Sequence, residues 1–284
     1  MKSLNLFIIA CLSFLLVASC ASKKNQYAET NKVHLQQVEK AAETIKEPLP
    51  PPQPSPEVFV ADVKGKRSDL DWVGTVHFDM RRPSFVIIHH TAQHSLEQTL
   101  RTFTLEHTKV SSHYVIGRDG KTVQMLNDYL RSWHAGNSRW GKVTDMNSHS
   151  IGIELDNNGS EPFSPVQINS LLRLLDTLQT NYRIPRQNFL GHADIAPTRK
   201  QDPSVHFPWK ILAEKGFGLW PDEMLSPPPA DFNPGIALQL IGYDTRNLQA
   251  AIVAFKRHYV QSDVSPQLTD YDLRVLYNLL LKQE

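Results

Sequence analysis

The sequence predicts a mixed α/β fold, in which a central mixed β-sheet is flanked by helices, with a small helical bundle at the C-terminus. Short apolar runs of strand length alternate with longer segments of helical periodicity between residues 85 and 191, and such interleaving is typical of α/β domains. Beyond residue 226 only helical stripes remain. The chain has 284 residues, of which 40% are hydrophobic, which suffices for one large domain or two smaller ones.

The first half of the α/β region contains three predicted strands and one helix. Phe85–Ile88 is a continuous apolar run, which fits a strand buried on both faces. Residues 95–98 (Ser-Leu-Glu-Gln) have the spacing of a capping box and predict the start of a helix. Residues 113–116 and 122–126 are predicted strands, because Arg118-Asp119-Gly120 between them is a hairpin signal.

The second half adds two strands and a long helix. Residues 150–155 (Ser-Ile-Gly-Ile-Glu-Leu) predict a strand of alternating character. Residues 164–167 (Ser-Pro-Val-Gln) form a second capping box, with proline at the first helical position. Phe189-Leu190-Gly191 is the last predicted strand and leads into His192.

The N-terminus has the features of an export signal followed by a tether. An apolar run at residues 6–17 is too short to span a bilayer comfortably. The small residues before Cys20 resemble the lipobox of bacterial lipoproteins, which implies that residues 1–19 are removed and that Cys20 is lipidated, with palmitate. Ala21 favours sorting to the outer membrane, while an ordinary secretory signal is the alternative. Residues 20–56 are polar, weakly helical and then proline-rich, which predicts an extended tether.

Composition excludes several classes of protein, and the distribution of histidines gives a first indication of a metal site. The formal net charge is +1, so nothing argues for a nucleic-acid partner. Cys11 and Cys20 are the only cysteines, which excludes a disulfide scaffold and a cysteine-rich metal site. Ten of the 12 histidines fall between His77 and His206. That clustering is a first indication of metal chemistry, although sugar-binding clefts and plain surfaces also carry histidines.

Three residues could hold a zinc ion. His89 follows a predicted buried strand, His192 follows the last strand, and Asp202 comes ten residues later. Two histidines and a carboxylate form a hydrolytic zinc set that leaves a fourth position open for water. Their spacing alone is weak evidence, and it favours histidines that cap strands or line a polar groove.

Five ordered motifs carry a family resemblance over residues 85–209. They are Ile-His-His-Thr-Ala at 88–92, Ser-Ser-His-Tyr-Val-Ile with Arg-Asp-Gly at 111–120, Trp-His-Ala-Gly at 133–136, Ser-Ile-Gly-Ile-Glu-Leu at 150–155, and Gly-His-Ala-Asp-Ile-Ala-Pro with Arg-Lys-Gln-Asp-Pro at 191–203. In this order they resemble the zinc-dependent N-acetylmuramoyl-L-alanine amidases of the type-two class, whose fold is shared with peptidoglycan recognition proteins.

The resemblance implies a site and a reaction. His89, His192 and Asp202 would hold one Zn²⁺ per chain, with Glu154 and Lys200 as the catalytic residues. The zinc site would hydrolyse the amide bond between N-acetylmuramic acid and L-alanine in peptidoglycan or its fragments, during cell-wall turnover and recycling. Two other functions stay open: binding of peptidoglycan without cleavage, and a zinc peptidase that cuts within the stem peptide.

The remaining expectations concern the groove, the partners and the domains. The residues expected to line the glycopeptide groove are His113, Trp133 and His134. A buried position in the core is the alternative for Trp133. The protein is expected to be a monomer at the periplasmic face of the outer membrane, anchored through Cys20. Residues 57–225 would form the catalytic domain. Residues 226–284 resemble peptidoglycan-binding-like helical domains, and a structural cap is the alternative.

Overall fold

The structure, a computed structural model, describes residues 27–46 and 82–283. Helix α1 (Ala28–Lys46) belongs to the first of two compact units, and the second unit is formed by Asp79–Glu284. No helix within the described ranges is both long and apolar enough to cross a membrane. The predicted signal peptide, Cys20 and the proline-rich segment lie outside the described residues.

The second unit is built on a five-stranded mixed sheet, as the sequence predicts. The strand order is β3-β2-β4-β1-β5, in which β3 pairs antiparallel with β2 and all other neighbours are parallel. The strands are β1 (Phe85–His90), β2 (Tyr114–Ile116), β3 (Thr122–Gln124), β4 (Ser150–Leu155) and β5 (Phe189–Gly191).

Helices of different lengths surround this sheet. Those inside the α/β region are α2 (Leu96–Thr104), α3 (Met146–His149), α4 (Pro165–Tyr182), α5 (His192–Ile195) and α6 (Trp209–Glu214), with short 3₁₀ turns at Glu106–Thr108 and Arg186–Asn188. The C-terminal bundle consists of α7 (Pro234–Ile241), α8 (Leu248–Tyr259) and α9 (Asp270–Leu281). The three short helices expected beyond residue 226 are therefore present.

Both predicted helix starts are confirmed, but neither capping box closes. Gln98 accepts the backbone amide of His94 at 3.1 Å and not that of the N-cap Ser95. The hydroxyls of Ser95 and Ser164 each accept a hydrogen bond from the backbone amide three residues on, at 3.1 Å in both cases. Gln167, which would complete the second box, is fully buried and donates instead to the backbone carbonyls of Ile116 and Asp156. This glutamine therefore fastens α4 to the ends of β2 and β4.

The alternating character expected for β4 is not observed, and its place in the sheet explains why. On one face of β4, Ile151, Ile153 and Leu155 pack in a hydrophobic cluster, and on the other face the ring of His134 lies over Gly152. All of its side chains are buried except that of Glu154, which is partly exposed. A strand in the middle of a parallel sheet is usually apolar on both sides, so the one charged residue in β4 stands out as a site residue.

Two hydrophobic clusters cover the two faces of the sheet. On one face Val86 and Ile88 pack in a cluster with α4 and α6. On the other face Phe85 and Ile87 share a cluster with the apolar stripes of α7, α8 and α9. The C-terminal helices thus bury part of the sheet itself. The boundary predicted at residues 225 and 226 stays a prediction.

Candidate metal centre and active site

The candidate site lies at the carboxyl ends of the parallel strands β1, β4 and β5. In the β1–β4 ladder His89 is the partner of Glu154, and in the β1–β5 ladder Ile88 is the partner of Gly191. His192 is therefore the first residue past β5, one step beyond the sheet. The carboxyl ends of parallel strands are a common place for ligands in α/β folds, and here they collect residues that lie far apart in sequence.

The three residues predicted to bind metal meet through one atom each. His89 Nδ1 lies 2.9 Å from His192 Nδ1 and 3.1 Å from Asp202 Oδ2, and His192 Nδ1 lies 3.0 Å from the same oxygen. A tetrahedral zinc ion with ligands at about 2.0–2.1 Å separates its ligand atoms by about 3.3 Å. The observed triangle is close to that size, so these residues fit a zinc ion.

The protonation states also suit a metal. Burial, reinforced by the neighbouring His192, lowers the pKa of His89 to about 4, so its imidazole is neutral near pH 7. Burial alone would raise the pKa of Asp202, but its close contacts with His192 and His89 hold it well below its usual range. Metal ligands must be neutral imidazoles and ionised carboxylates, and these two residues meet that requirement.

A chain of hydrogen bonds fixes the tautomer of His89. The hydroxyl of Ser150 donates to the carbonyl of Met146, so it accepts from His134 Nε2 at 3.1 Å. The proton on Nε2 makes His134 Nδ1 an acceptor, and that atom lies 2.9 Å from His89 Nε2. His89 Nε2 must then carry a proton, which leaves the Nδ1 lone pair free for a metal. Such outer hydrogen bonds commonly orient metal-binding histidines.

The loop that carries His134 is held by two further features. The side-chain oxygen of Asn147 accepts hydrogen bonds from the backbone amides of His134 and Ala135, at 3.1 and 2.8 Å. Beneath the ring lies Gly152, where an added Cβ would stand 2.5 Å from the imidazole. Only glycine leaves room for His134 at this point of β4.

His192 is oriented from the same loop. Its Nε2 lies 3.2 Å from the carbonyl oxygen of Ala135, and a carbonyl only accepts, so Nε2 carries the proton and Nδ1 faces the metal position. Arg199 donates to the same carbonyl at 2.7 Å and to that of Asn137 at 2.9 Å. The two histidines predicted to bind metal are thus both aligned by residues 134–137.

His89, His192 and Asp202 line a cavity of about 330 Å³. The two predicted catalytic residues, Glu154 and Lys200, line the same cavity. Glu154 Oε2 is enclosed and has no hydrogen-bond partner among the residues that the structure describes. Burial, together with the negative charge of Asp202, raises the pKa of Glu154 to about 8, while Lys200 opposes the shift. At this pKa the carboxyl group is mostly protonated near pH 7, and none of the described residues engages its Oε2.

The three residues expected to line the groove have different positions. Trp133 is 54% exposed at the cavity wall, and His134 lies at the cavity base in contact with His89. His113 is fully buried and is not among the lining residues. Its Nδ1 accepts the backbone amide of Gly152 at 3.0 Å, and its Nε2 donates to the carbonyl of Leu130 at 2.9 Å. The position of His113 favours a structural role over the predicted contact with substrate.

Sequence reasoning missed the outer residues that orient the ligands. Ser150, Asn147 and Arg199 all lie within or beside the motifs, but no local pattern distinguishes their roles. The signal that could have indicated Ser150 is its place at the start of a buried strand, because a polar residue there needs a partner.

Comparisons with known proteins identify the family. Residues 79–205 match the N-acetylmuramoyl-L-alanine amidase family model. The chain is 35% identical over 210 residues to N-acetylmuramoyl-L-alanine amidase AmiD of Escherichia coli K12, a match that covers 63% of this chain and 75% of AmiD. It is 31% identical over 170 residues to 1,6-anhydro-N-acetylmuramyl-L-alanine amidase AmpD of Haemophilus influenzae, covering 52% of this chain and 92% of AmpD.

A solved structure is similar over most of its length. The complex of E. coli AmiD with the substrate anhydro-N-acetylmuramic acid-L-Ala-D-γ-Glu-L-Lys superposes with a TM-score of 0.65 at 30% identity. The match covers 77% of this chain and 96% of that one. The mixed sheet with flanking helices is thus shared, and the chain belongs to the N-acetylmuramoyl-L-alanine amidase family.

Proposed function

We propose that the protein is a zinc-dependent hydrolase that cleaves the amide bond between N-acetylmuramic acid and L-alanine in peptidoglycan or its fragments. The observation that carries the proposal is the convergence of His89, His192 and Asp202, whose ligand atoms lie 2.9–3.1 Å apart, in the cavity that contains Glu154 and Lys200. The family to which the chain belongs supports the choice of bond.

The residues of the site divide the chemistry between them. When bound, zinc acts as a Lewis acid, which polarises a carbonyl group and makes water acidic enough to attack near pH 7. The positive charge of a bound zinc ion would lower the raised pKa of Glu154, so that its carboxylate could accept a proton from the attacking water and then deliver it to the leaving amine. The ammonium group of Lys200 would stabilise the negative charge that develops on the carbonyl oxygen.

The cavity suits a substrate that combines sugar and peptide. Trp133 presents an exposed aromatic face at the cavity wall, and a flat apolar ring of this kind can pack against a sugar ring. The AmiD complex contains an anhydromuramyl tripeptide, so we propose a muropeptide of similar construction as the substrate of this chain.

The proposed setting is the periplasmic face of the outer membrane. The lipobox-like residues before Cys20 support attachment through a lipid, including palmitate, on that cysteine, with removal of residues 1–19. At this location a monomer could act in the turnover and recycling of cell wall. Stable anchoring requires two or more acyl chains, because one chain holds a protein only marginally.

The decisive experiment is mass spectrometry of muropeptides after digestion with the zinc-loaded protein. We expect free muramyl sugar together with intact stem peptide. Shortened peptides would instead indicate a zinc peptidase, and unchanged muropeptides would indicate binding without cleavage; either result would overturn the proposal. Asp202→Ala serves as the control, because loss of a ligand should abolish both stoichiometric zinc binding and turnover while the sheet remains folded.

A further inference from the structure

The C-terminal helices contact the turn that carries the metal ligand His192. Asp194, two residues later, is buried and uses both of its carboxylate oxygens. Oδ1 accepts the hydroxyl of Tyr243 at 2.7 Å, and Oδ2 accepts Nδ1 of His258 at 2.7 Å. Oδ2 also accepts the backbone amide of Gly191 at 2.7 Å. One carboxylate therefore joins β5 and α5 to two residues of the C-terminal bundle.

The donors to Asp194 are held firmly in place. The ring of His258 lies between those of Trp209 and Tyr259, with centroids 3.8 and 4.0 Å away and planes inclined by 18° and 13°. Tyr243 packs edge-on against Trp140 at 4.9 Å. These donors are consequently pre-oriented, so the position of Asp194 depends on them.

The segment that follows Asp202 is held by the same bundle. Gln261, just after α8, donates from its side-chain amide to the carbonyls of Val205 and Phe207 at 2.9 and 2.7 Å. The backbone amide of Ala193 donates to the carbonyl of Asp202 at 2.8 Å, which ties the two ligand-bearing segments together. The bundle thus contacts both segments without supplying a ligand itself.

We propose that the C-terminal helices position the metal ligands, and that Tyr243 and His258 act as positioning residues that hold His192 through Asp194. The inference rests on the proposed zinc site but not on the identity of the substrate. It assigns the bundle a role in metal binding that is separate from any contact with cell wall. No sequence motif indicates it, because the polar contacts join residues about 50 to 65 positions apart.

The test measures zinc affinity in the full chain by competition with a chromogenic chelator, at a temperature well below unfolding. Tyr243→Phe removes one hydroxyl, and Asp194→Asn removes the carboxylate charge. Loss of an outer hydrogen-bond partner weakens metal binding by about 10- to 100-fold, and we expect about tenfold for Tyr243→Phe and more for Asp194→Asn. Tyr259→Phe is the matched control, because no hydrogen bond of its hydroxyl is found within residues 27–46 and 82–283.

The outcomes separate positioning from a general structural role. Weaker zinc binding by Tyr243→Phe, with kcat on muropeptides reduced and KM unchanged, would support the inference. A lowered melting temperature with the parent zinc affinity would overturn it, and so would equal losses in Tyr259→Phe. Should the parent bind zinc but cleave no muropeptide, the proposed function would fail, while the affinities would still decide the positioning role. If Asp194→Asn does not fold, Tyr243→Phe alone decides.

Discussion

At the scale of single residues, the site combines groups that touch the metal position with groups that fix their tautomers. His89 and His192 each present Nδ1, because Nε2 of each is engaged by a partner in residues 134–137. Glu154 differs from both, because one of its oxygens is enclosed and has no hydrogen-bond partner in the part of the chain that the structure describes. This contrast between fixed ligands and an unpaired carboxyl group allows their roles to be tested separately.

Glu154→Gln should abolish most turnover while zinc stays bound. Glutamine keeps the size of the side chain but cannot accept and deliver a proton. Removal of a general base commonly lowers the rate by about 10²–10⁴, and we expect a loss in that range in steady-state assays on muropeptides. Zinc content, measured by atomic absorption, should equal that of the parent. A variant that retained nearly full activity would show that another group acts as the base.

Ser150→Ala should weaken zinc binding although Ser150 does not touch the metal. Without its hydroxyl, His134 Nε2 loses the acceptor that sets the tautomers of His134 and His89. We expect the dissociation constant for zinc to rise about tenfold, as measured by chelator competition. Ser148→Ala is the matched control, since the Ser148 hydroxyl bonds Asp145 and Arg131 on the surface. Equal zinc affinities in the two variants would contradict the role of Ser150 in fixing the tautomers of His134 and His89.

At the scale of secondary-structure elements, the connection between α8 and α9 is held by a buried lysine. Lys256 of α8 is fully enclosed. Its ammonium group pairs with Asp263 and lies 3.1 Å from Asp272, and it donates to the carbonyl of Gln267 at 2.8 Å. A buried cation is tolerated only when it is paired in this way. The lysine therefore anchors the whole connection onto the bundle.

This anchor predicts a specific loss of stability in acid. The hydrogen bond from Lys256 lowers the pKa of Asp263 to about 2, whereas an unfolded aspartate titrates near about 3.9. The stabilisation is therefore fully present above the unfolded value and disappears as the pH falls towards 2. Urea unfolding of Asp263→Asn should show a flatter dependence on pH than the parent between about pH 4 and pH 2. Asp231→Asn, at an exposed position, should match the parent; identical curves for Asp263→Asn would contradict the prediction.

The elements themselves were largely predictable, whereas their polar contacts were not. Phe85–Ile88 and the serines at 95 and 164 carry local signals, so the strand and both helix starts follow from the sequence. The buried role of Gln167 depends on β2 and β4 lying next to α4, and the contact of His134 with His89 spans 45 positions. Local patterns do not encode such contacts, which is why the ligands could be assigned through motifs but their supporting residues could not.

At the scale of the whole molecule, the protein is predicted to be attached to the membrane through a lipid anchor on Cys20. Cys20→Ser should prevent lipidation, because the predicted lipid is attached through the sulfur of this cysteine, and should release a soluble periplasmic form if another peptidase removes the leader. Fractionation and immunoblotting would measure this, with Cys11→Ser as the control, since Cys11 lies within the predicted leader. Unchanged membrane association of Cys20→Ser would refute the anchor. Muropeptide cleavage by the released form should equal that of the parent.

The pairing of His89 with Glu154 across β1 and β4 also bears on how relatives of this protein can diverge. Neighbouring strands are about 4.8 Å apart, so backbone hydrogen bonds set the separation between the ligand and the carboxyl group. Insertions and deletions in the loop between α2 and β2, which contributes Val110 and Ser111 to the cavity wall, can then alter that wall without moving those two side chains. One residue inserted inside β4 would turn Glu154 to the opposite face. Tolerance to changes in length is therefore confined to the loops, where substrate preference can evolve while the reaction is retained.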